Sequence, residues 1–158
     1  MQQTVLVFVF RGSELLLIEK KRGQGKGYWN VPGGKLEPGE TLRDAAIREC
    51  KEESGVQIVD PLAVGRLEFY FEKNADTHDW DNHCEVFIAR ESSGALEEND
   101  EARAFWLANA SVLPLEKFWP SDRFWIPKLL ACEPFWREYY FGLDHRILKE
   151  VIKDTYLT

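Results

Sequence analysis

The sequence predicts a layered α/β domain. Short runs rich in β-branched and aromatic residues recur along the chain, bounded by glycine or polar turns. Two helical patterns, Thr41 to Ser54 and Asp122 to Cys132, fall between them. Strands interleaved with helices are the signature of an α/β layer architecture. At 158 residues the chain holds about one domain, assigned to residues 1–158, and its 44% hydrophobic content supplies a core that a disordered chain lacks.

Taken in order, Thr4 to Phe10 (TVLVFVF) reads as a buried strand. Arg11 to Glu14 reads as a turn and Leu15 to Glu19 as the returning strand of a hairpin. Lys20 to Glu40 is dense in glycine and reads as a long loop system, with a short strand around Trp29 to Val31. Thr41 caps the first helix, Asp44 completes a box-like start, and Gly55 stops it. Strands follow at Val64 to Glu72, Cys84 to Ala89 and Ala102 to Leu107, with Lys73 to Asn82 as an exposed hairpin loop. After the helix at Asp122 come an aromatic strand, Phe135 to Phe141, and a terminal helix, His145 to Asp154.

Composition excludes several classes. The 20 Lys and Arg against 27 Asp and Glu leave a net charge of −7, which supplies no cationic footprint for duplex nucleic acid. Taken globally, it also argues against any phosphate-bearing partner. The longest apolar run, Val5 to Phe10, is far short of the ~20 residues of a membrane span. It has neither the basic flank nor the cleavage site of a secretory signal. Cys50, Cys84 and Cys132 are odd in number and widely spaced, which supports neither a zinc site nor a disulfide framework. A reducing cytoplasm is the expected compartment.

The chemistry concentrates in the first helix. At 100° per residue, Glu49, Glu52 and Glu53 share about one third of its circumference. Ala46, Ile47 and Cys50 form an adjacent apolar sector that can pack on a sheet, and Arg48 can pair with Glu52 one turn on. Three carboxylates on one stripe repel each other. They also make the oxygen-rich environment that Mg²⁺ prefers. A solvated acidic face is the competing reading for Glu-x-x-Glu-Glu alone.

The flanking residues decide between the two. Gly34, Glu40, Arg48, Glu49, Glu52, Glu53 and Gly55 fill every fixed position of the pattern G-x5-E-x7-R-E-U-x-E-E-x-G-U, with Cys50 and Val56 at its apolar places. The segment therefore resembles the Nudix box. The resemblance implies a Nudix α/β/α sandwich with a mixed central sheet and hydrolysis of a nucleoside diphosphate linked to a moiety X, with Mg²⁺ or Mn²⁺ held by the box helix. By the same resemblance Glu49, Glu52 and Glu53 are metal ligands and Glu40 supports the loop or a further metal. Arg48 orients the glutamates, and Gly33 and Gly34 let the backbone approach metal and phosphate. Lys35 lies near the phosphates. From the acidic run Glu97 to Glu101, Glu101 is the expected further ligand or general base, while Glu97 and Glu98 read as a solvated loop.

The stretches Lys20 to Asn30 and Phe118 to Trp125, with the aromatic strand and terminal helix, are similar to the oxidised-purine branch of the family, the MutT-homologue type. In that branch an Asn and a pair of acids after Trp-Pro read the base edge while the Trp stacks on its face. The matching positions are Asn30, Ser121, Asp122 and Trp119, with Lys20 near the base or phosphates and Thr4 at the pocket floor. An Asn offers donor and acceptor to a purine edge, and an indole offers a stacking platform. Two positions depart from the branch pattern. Ser121 replaces the first acid, and Gln24 replaces an aromatic in the glycine-rich loop. Losing an acid that can change protonation favours oxidised guanine over oxidised adenine. Trp106 and Trp125 are expected to pack, and His78, His83 and His145 carry no assigned role.

The resulting expectation is Mg²⁺-dependent cleavage of 8-oxo-dGTP-type triphosphates to a monophosphate and pyrophosphate. That activity would cleanse the nucleotide pool, in a monomer or small homo-oligomer with a small-molecule partner and no membrane. The alternatives keep the box. One changes X to a dinucleoside polyphosphate, nucleotide sugar, capped RNA or ordinary triphosphate. The other is a nucleotide sensor that binds without cleaving.

Overall fold

Val5, Val7 and Val9 point to one side of the first strand and Phe8 to the other, and all four are buried. A strand covered on both faces reads as a continuous apolar run, which is why TVLVFVF shows no alternation. The computed structural model describes residues 1–23 and 25–153; Gln24 and Asp154, both named above, lie outside the described residues.

The elements are β1 (Gln2–Arg11), β2 (Glu14–Lys20), β3 (Trp29–Asn30), β4 (Gly33–Lys35), α1 (Leu42–Ser54), β5 (Gln57–Val59), β6 (Leu62–Phe71), β7 (Asn82–Ala89), β8 (Glu91–Ser93), β9 (Ala102–Leu107), α2 (Asp122–Leu130), β10 (Phe135–Phe141) and β11 (Ile147–Ile152). Two short 3-10 turns, Ala110–Val112 and Leu115–Lys117, lie between β9 and α2. Among the described residues the main sheet runs β11-β10-β6-β7-β1-β2-β3, with β4 beside β1 and β9 beside β2. It is mixed: β1 and β7 are parallel, as are β6 and β10, and the other pairs are antiparallel.

Helices cover both faces of this sheet. Ala45, Ala46 and Cys50 of α1 pack on Val5, Val7, Val9 and Phe87. Trp125, Ile126 and Leu129 of α2 pack on Phe8, Leu67, Val86 and Phe135. The result is the expected α/β/α sandwich. No helix among the described residues is long and apolar enough to cross a membrane.

The short strands β4, β5 and β8 were not read from the sequence, and two longer regions also differ from expectation. The segment expected as a terminal helix is the strand β11, paired antiparallel with β10 from Arg137↔Ile152 to Phe141↔Ile147. Ile147, Leu148, Val151 and Ile152 carry helix-like spacing, but the β-branched Ile147, Val151 and Ile152 also suit a strand. Pairing with the free edge of β10 satisfies the backbone and decides the outcome. The loop after β6 is less exposed than its polarity suggests. Thr77 is buried, its hydroxyl donating to Glu72 O at 2.6 Å, and Asn82 already belongs to β7.

Candidate active site

Helix α1 starts and stops where its caps dictate. Thr41 Oγ1 accepts from the Asp44 N–H at 3.1 Å. Gly55 takes φ 82, and a Cβ there would lie 2.6 Å from Ala95 O, so only glycine fits. Fixing both ends fixes which way the glutamates point. Glu53 turns inward and is 3% exposed. Its Oε1 accepts from the Gly33 N–H at 2.7 Å. Its Oε2 is buried without a hydrogen bond, and Lys20 Nζ stands 3.3 Å away at ion-pair distance. Burial raises the Glu53 carboxyl above the usual range, while Lys20 and the Gly33 N–H pull it back.

Glu49 packs on the same loop. A Cβ on Gly34 would sit 2.2 Å from the Glu49 carboxyl, so this approach requires glycine. Burial pushes Glu49 to about 7, against the pull of the Arg48 guanidinium. Arg48 is the hub of the cluster. It donates to Glu40 at 2.7 and 3.0 Å, to Glu49 at 2.9 Å, to Glu52 at 3.2 Å and to the Lys35 carbonyl at 2.9 Å. These bonds hold Glu40 below its ordinary value and raise Arg48 further. Glu52 is the outermost of the set, its side chain 57% exposed.

As the side chains stand, no three acidic, His or Cys groups among the described residues converge on one point. Arg48 holds Glu40, Glu49 and Glu52 at its own guanidinium instead. The donor set nevertheless suits a divalent cation. It consists of hard oxygens, one of them the buried Glu53 Oε2, which has the Lys20 ammonium at ion-pair distance, beside a backbone cradle that a side chain would fill.

The acidic run after β8 is tied to α1 through Asn99, which sequence reasoning passed over. Asn99 Nδ2 donates to Glu52 O at 2.9 Å, and its Oδ1 accepts from the Glu101 and Ala102 N–H groups. Such a side-chain-to-backbone turn is written locally as Asn-x-Glu, but its partner on the helix is not. Glu101 thereby reaches the cavity, 3.5 Å from Arg22. Glu98 pairs with Lys21 at 3.2 Å and stays outside it.

A cavity of about 520 Å³ adjoins these groups. Every residue expected to touch substrate lines it: Thr4, Lys20, Asn30, Gly33, Gly34, Lys35, Trp119, Ser121 and Asp122. Glu101 lines it as well, whereas Glu40, Glu49, Glu52, Glu53 and Arg48 lie behind the Gly33–Lys35 wall. The floor is the sheet itself. Gln2 and Thr4 of β1 register with Asn82 and Cys84 of β7, so the four share one face, beside Phe69, Phe71 and Phe141. Thr4 Oγ1 donates to Asn82 Oδ1 at 2.9 Å. Asn82 and Cys84 were missing from the sequence-based set. Strand alternation with Thr4 is the signal that finds them, once the parallel register is known.

Asp122, which lines the cavity, is buried at the start of α2. Its Oδ1 accepts from Trp125 Nε1 at 3.0 Å and from Ser121 Oγ at 3.4 Å. Burial pushes its carboxyl to about 7, against the pull of those two donors. Trp125 is thus a packing residue with a second task, and Trp106 carries the Arg11 guanidinium 4.0 Å over its ring.

The NUDIX domain family matches the chain over residues 1–129. The chain is 34% identical to the oxidized purine nucleoside triphosphate hydrolase of Mus musculus over 149 residues, covering 94% of this chain and 92% of that one. It is 36% identical to the protein of the same name from Danio rerio over 145 residues, covering 92% and 89%. A MutT protein from Bacillus halodurans superposes with TM-score 0.82 over 98% of this chain and 99% of its own, at 22% identity, a likeness of fold.

Proposed function

The chain belongs to the NUDIX family of hydrolases, whose substrates are small nucleotides, and from that premise we propose that it cleaves oxidised purine nucleoside triphosphates of the 8-oxo-dGTP type. The products are a nucleoside monophosphate and pyrophosphate, and the role is cleansing of the nucleotide pool in the cytoplasm. The observation that carries this reading is one continuous cavity lined by two chemically distinct sets of residues. Lys20, Lys35 and the Gly33–Gly34 backbone, beside the box glutamates, would form its phosphate end. Asn30, Trp119, Ser121 and Asp122 would form its base end. A nucleotide laid along it has its phosphates at the first end and its base at the second. The names of the Mus musculus and Danio rerio relatives, oxidized purine nucleoside triphosphate hydrolase, support the same substrate class.

The chain's own residues perform the following work. Asn30 and Asp122 hydrogen-bond the base edge and Trp119 stacks on its face. With Ser121 beside it, Asp122 is the one carboxyl in this pair, which favours an oxidised guanine. Lys20 and Lys35 bind the polyphosphate. Glu49, Glu52 and Glu53, with Glu40, Glu101 and the Gly33 backbone, would hold Mg²⁺ or Mn²⁺. Such an ion supplies charge neutralisation for the phosphates and acidifies a bound water. Arg48 keeps the glutamates oriented towards the loop. Where Glu101, open to the cavity, serves as the general base and not as a ligand, its carboxylate takes the proton as a water oxygen bonds to phosphorus. The bridging P–O bond then breaks, and its electrons leave with pyrophosphate.

The test is chromatographic measurement of nucleotide product formation from 8-oxo-dGTP, dGTP, 2-oxo-dATP, ADP-ribose and diadenosine tetraphosphate, with and without Mg²⁺. The expected result is Mg²⁺-dependent turnover with 8-oxo-dGTP preferred. Equal or better rates on ADP-ribose would defeat the oxidised-purine reading. Binding without cleavage in saturating Mg²⁺ would make the protein a sensor.

A further inference from the structure

Trp119 forms the aromatic wall of the cavity, and something must hold its ring in place. Four of its ring neighbours meet it edge-on or tilted. Phe71, Phe141 and Trp80 lie at interplanar angles of 75°, 63° and 86°, and His145 of the β10–β11 turn at 45°. Tyr28 alone among these ring contacts lies face to face, with centroids 4.6 Å apart and planes 18° apart. Trp119 lines the cavity and Tyr28 does not. The phenol ring therefore backs the indole and leaves the cavity side clear.

Tyr28 ends the glycine-rich loop that begins at Lys20. That loop is a succession of turns: Lys26 N–H donates to Gly23 O, Gly27 N–H to Lys20 O and Tyr28 N–H to Gly25 O. It also runs along the indole edge, where a Cβ on Gly25 would lie 3.4 Å from Trp119 Nε1. The same short loop thus carries Lys20 and Arg22 at the phosphate end of the cavity and grips the ring at the base end.

We propose that Tyr28 is a positioning residue for nucleobase binding: it clamps Trp119 from behind, so that a bound base completes a three-ring stack of base, indole and phenol. This rests on the reading of the Trp119–Asp122 end as the base subsite. The clamp acts on the base-containing part of a ligand, while the phosphates are bound by groups it does not touch. Its ring is required and its hydroxyl is not.

The experiment measures binding of 8-oxo-dGMP, dGMP and pyrophosphate by calorimetry, with KM and kcat for the preferred triphosphate. The proteins are wild type, Tyr28→Ala and Tyr28→Phe. Tyr28→Ala is expected to weaken nucleotide binding and raise KM by roughly two- to tenfold, the worth of one stacked aromatic pair. kcat and pyrophosphate affinity should stay within about twofold, and Tyr28→Phe should behave as wild type. In a Trp119→Leu background, Tyr28→Ala should cost nothing further. Equal losses for pyrophosphate and nucleotide, a fall in kcat alone, or failure of Tyr28→Phe to restore binding would each overturn the proposal. Preference of wild type for dGMP over 8-oxo-dGMP would defeat the oxidised-base reading, while the Tyr28 dependence measured on dGMP would still decide this one.

Discussion

Asp122 is an acid buried at the base end of the cavity, and its burial has a measurable cost. In the folded chain its carboxyl titrates near 7, against an ordinary value of 3.8. The native state therefore holds this proton more tightly than the unfolded chain does, and stability falls as pH rises through that window. The gap of about three pKa units corresponds to roughly 4 kcal/mol in full. The two units between pH 5 and 7 correspond to about 2.7 kcal/mol. Asp122→Asn keeps the shape and the acceptor for Trp125 Nε1 and Ser121 Oγ but cannot ionise. Urea denaturation at pH 5 and pH 8 should show wild type losing about 2.7 kcal/mol more than the variant over that interval, with equal m-values. The comparison isolates Asp122, because Glu49 and Glu53 contribute alike to both proteins. Identical pH slopes would show that the carboxyl is ionised in the native state and that burial does not dominate it. The same titration should appear in function. The pH dependence of KM for 8-oxo-dGTP around pH 7 should be weaker in the variant than in the wild type, the difference being the share of Asp122.

Three further outcomes are expected. Glu53→Gln should abolish turnover and leave the circular dichroism spectrum and urea midpoint close to wild type; retention of most activity would remove Glu53 from the site. Gly34→Ala places a methyl 2.2 Å from the Glu49 carboxyl, which must retreat by about an ångström to reach ordinary contact. A displacement of that size should cost on the order of 10²-fold in kcat with the fold intact. Trp125→Phe removes the N–H that Asp122 accepts, a bond worth about 1.5–3 kcal/mol when the acceptor is charged. Its cost in urea denaturation should therefore be larger at pH 8 than at pH 5, and equal costs would place the charge elsewhere.

The parts of the fold written in local sequence were legible there. Thr41, Asp44 and Gly55 fix α1 through contacts within a few residues, and the alternation of FWREYYF matches β10 residue for residue. The box glutamates were legible because their spacing is a property of one helix. What local pattern could not supply is anything that depends on a partner distant in the chain. The C-terminal ILKEVI has the apolar spacing of either a helix or a strand, and the free edge of β10 chooses. Asn82 and Cys84 enter the cavity only because β7 lies parallel to β1 in one register. Tyr28 reads as an ordinary loop aromatic until the chain brings Trp119 against it from nearly a hundred residues downstream.

The net charge of −7 is the clearest case of a global number pointing away from a local one. Taken over the whole chain it argues against a polyphosphate ligand. The cavity wall itself carries Lys20, Arg22 and Lys35 against Glu101 and Asp122, and burial holds Asp122 back from ionising. The densest acid of the region, Glu40, Glu49, Glu52 and Glu53, lies one layer behind, with Arg48 and Lys20 at ion-pair distance from its carboxylates. A polyphosphate entering the cavity thus meets cations and backbone before it meets that acid. Carboxylates gathered one layer behind the cationic wall, Glu53 among them buried, also make a place where a divalent ion gains from binding. The acidity that composition counts against a phosphate ligand is, on the proposed reading, what would recruit the cation that such a ligand needs.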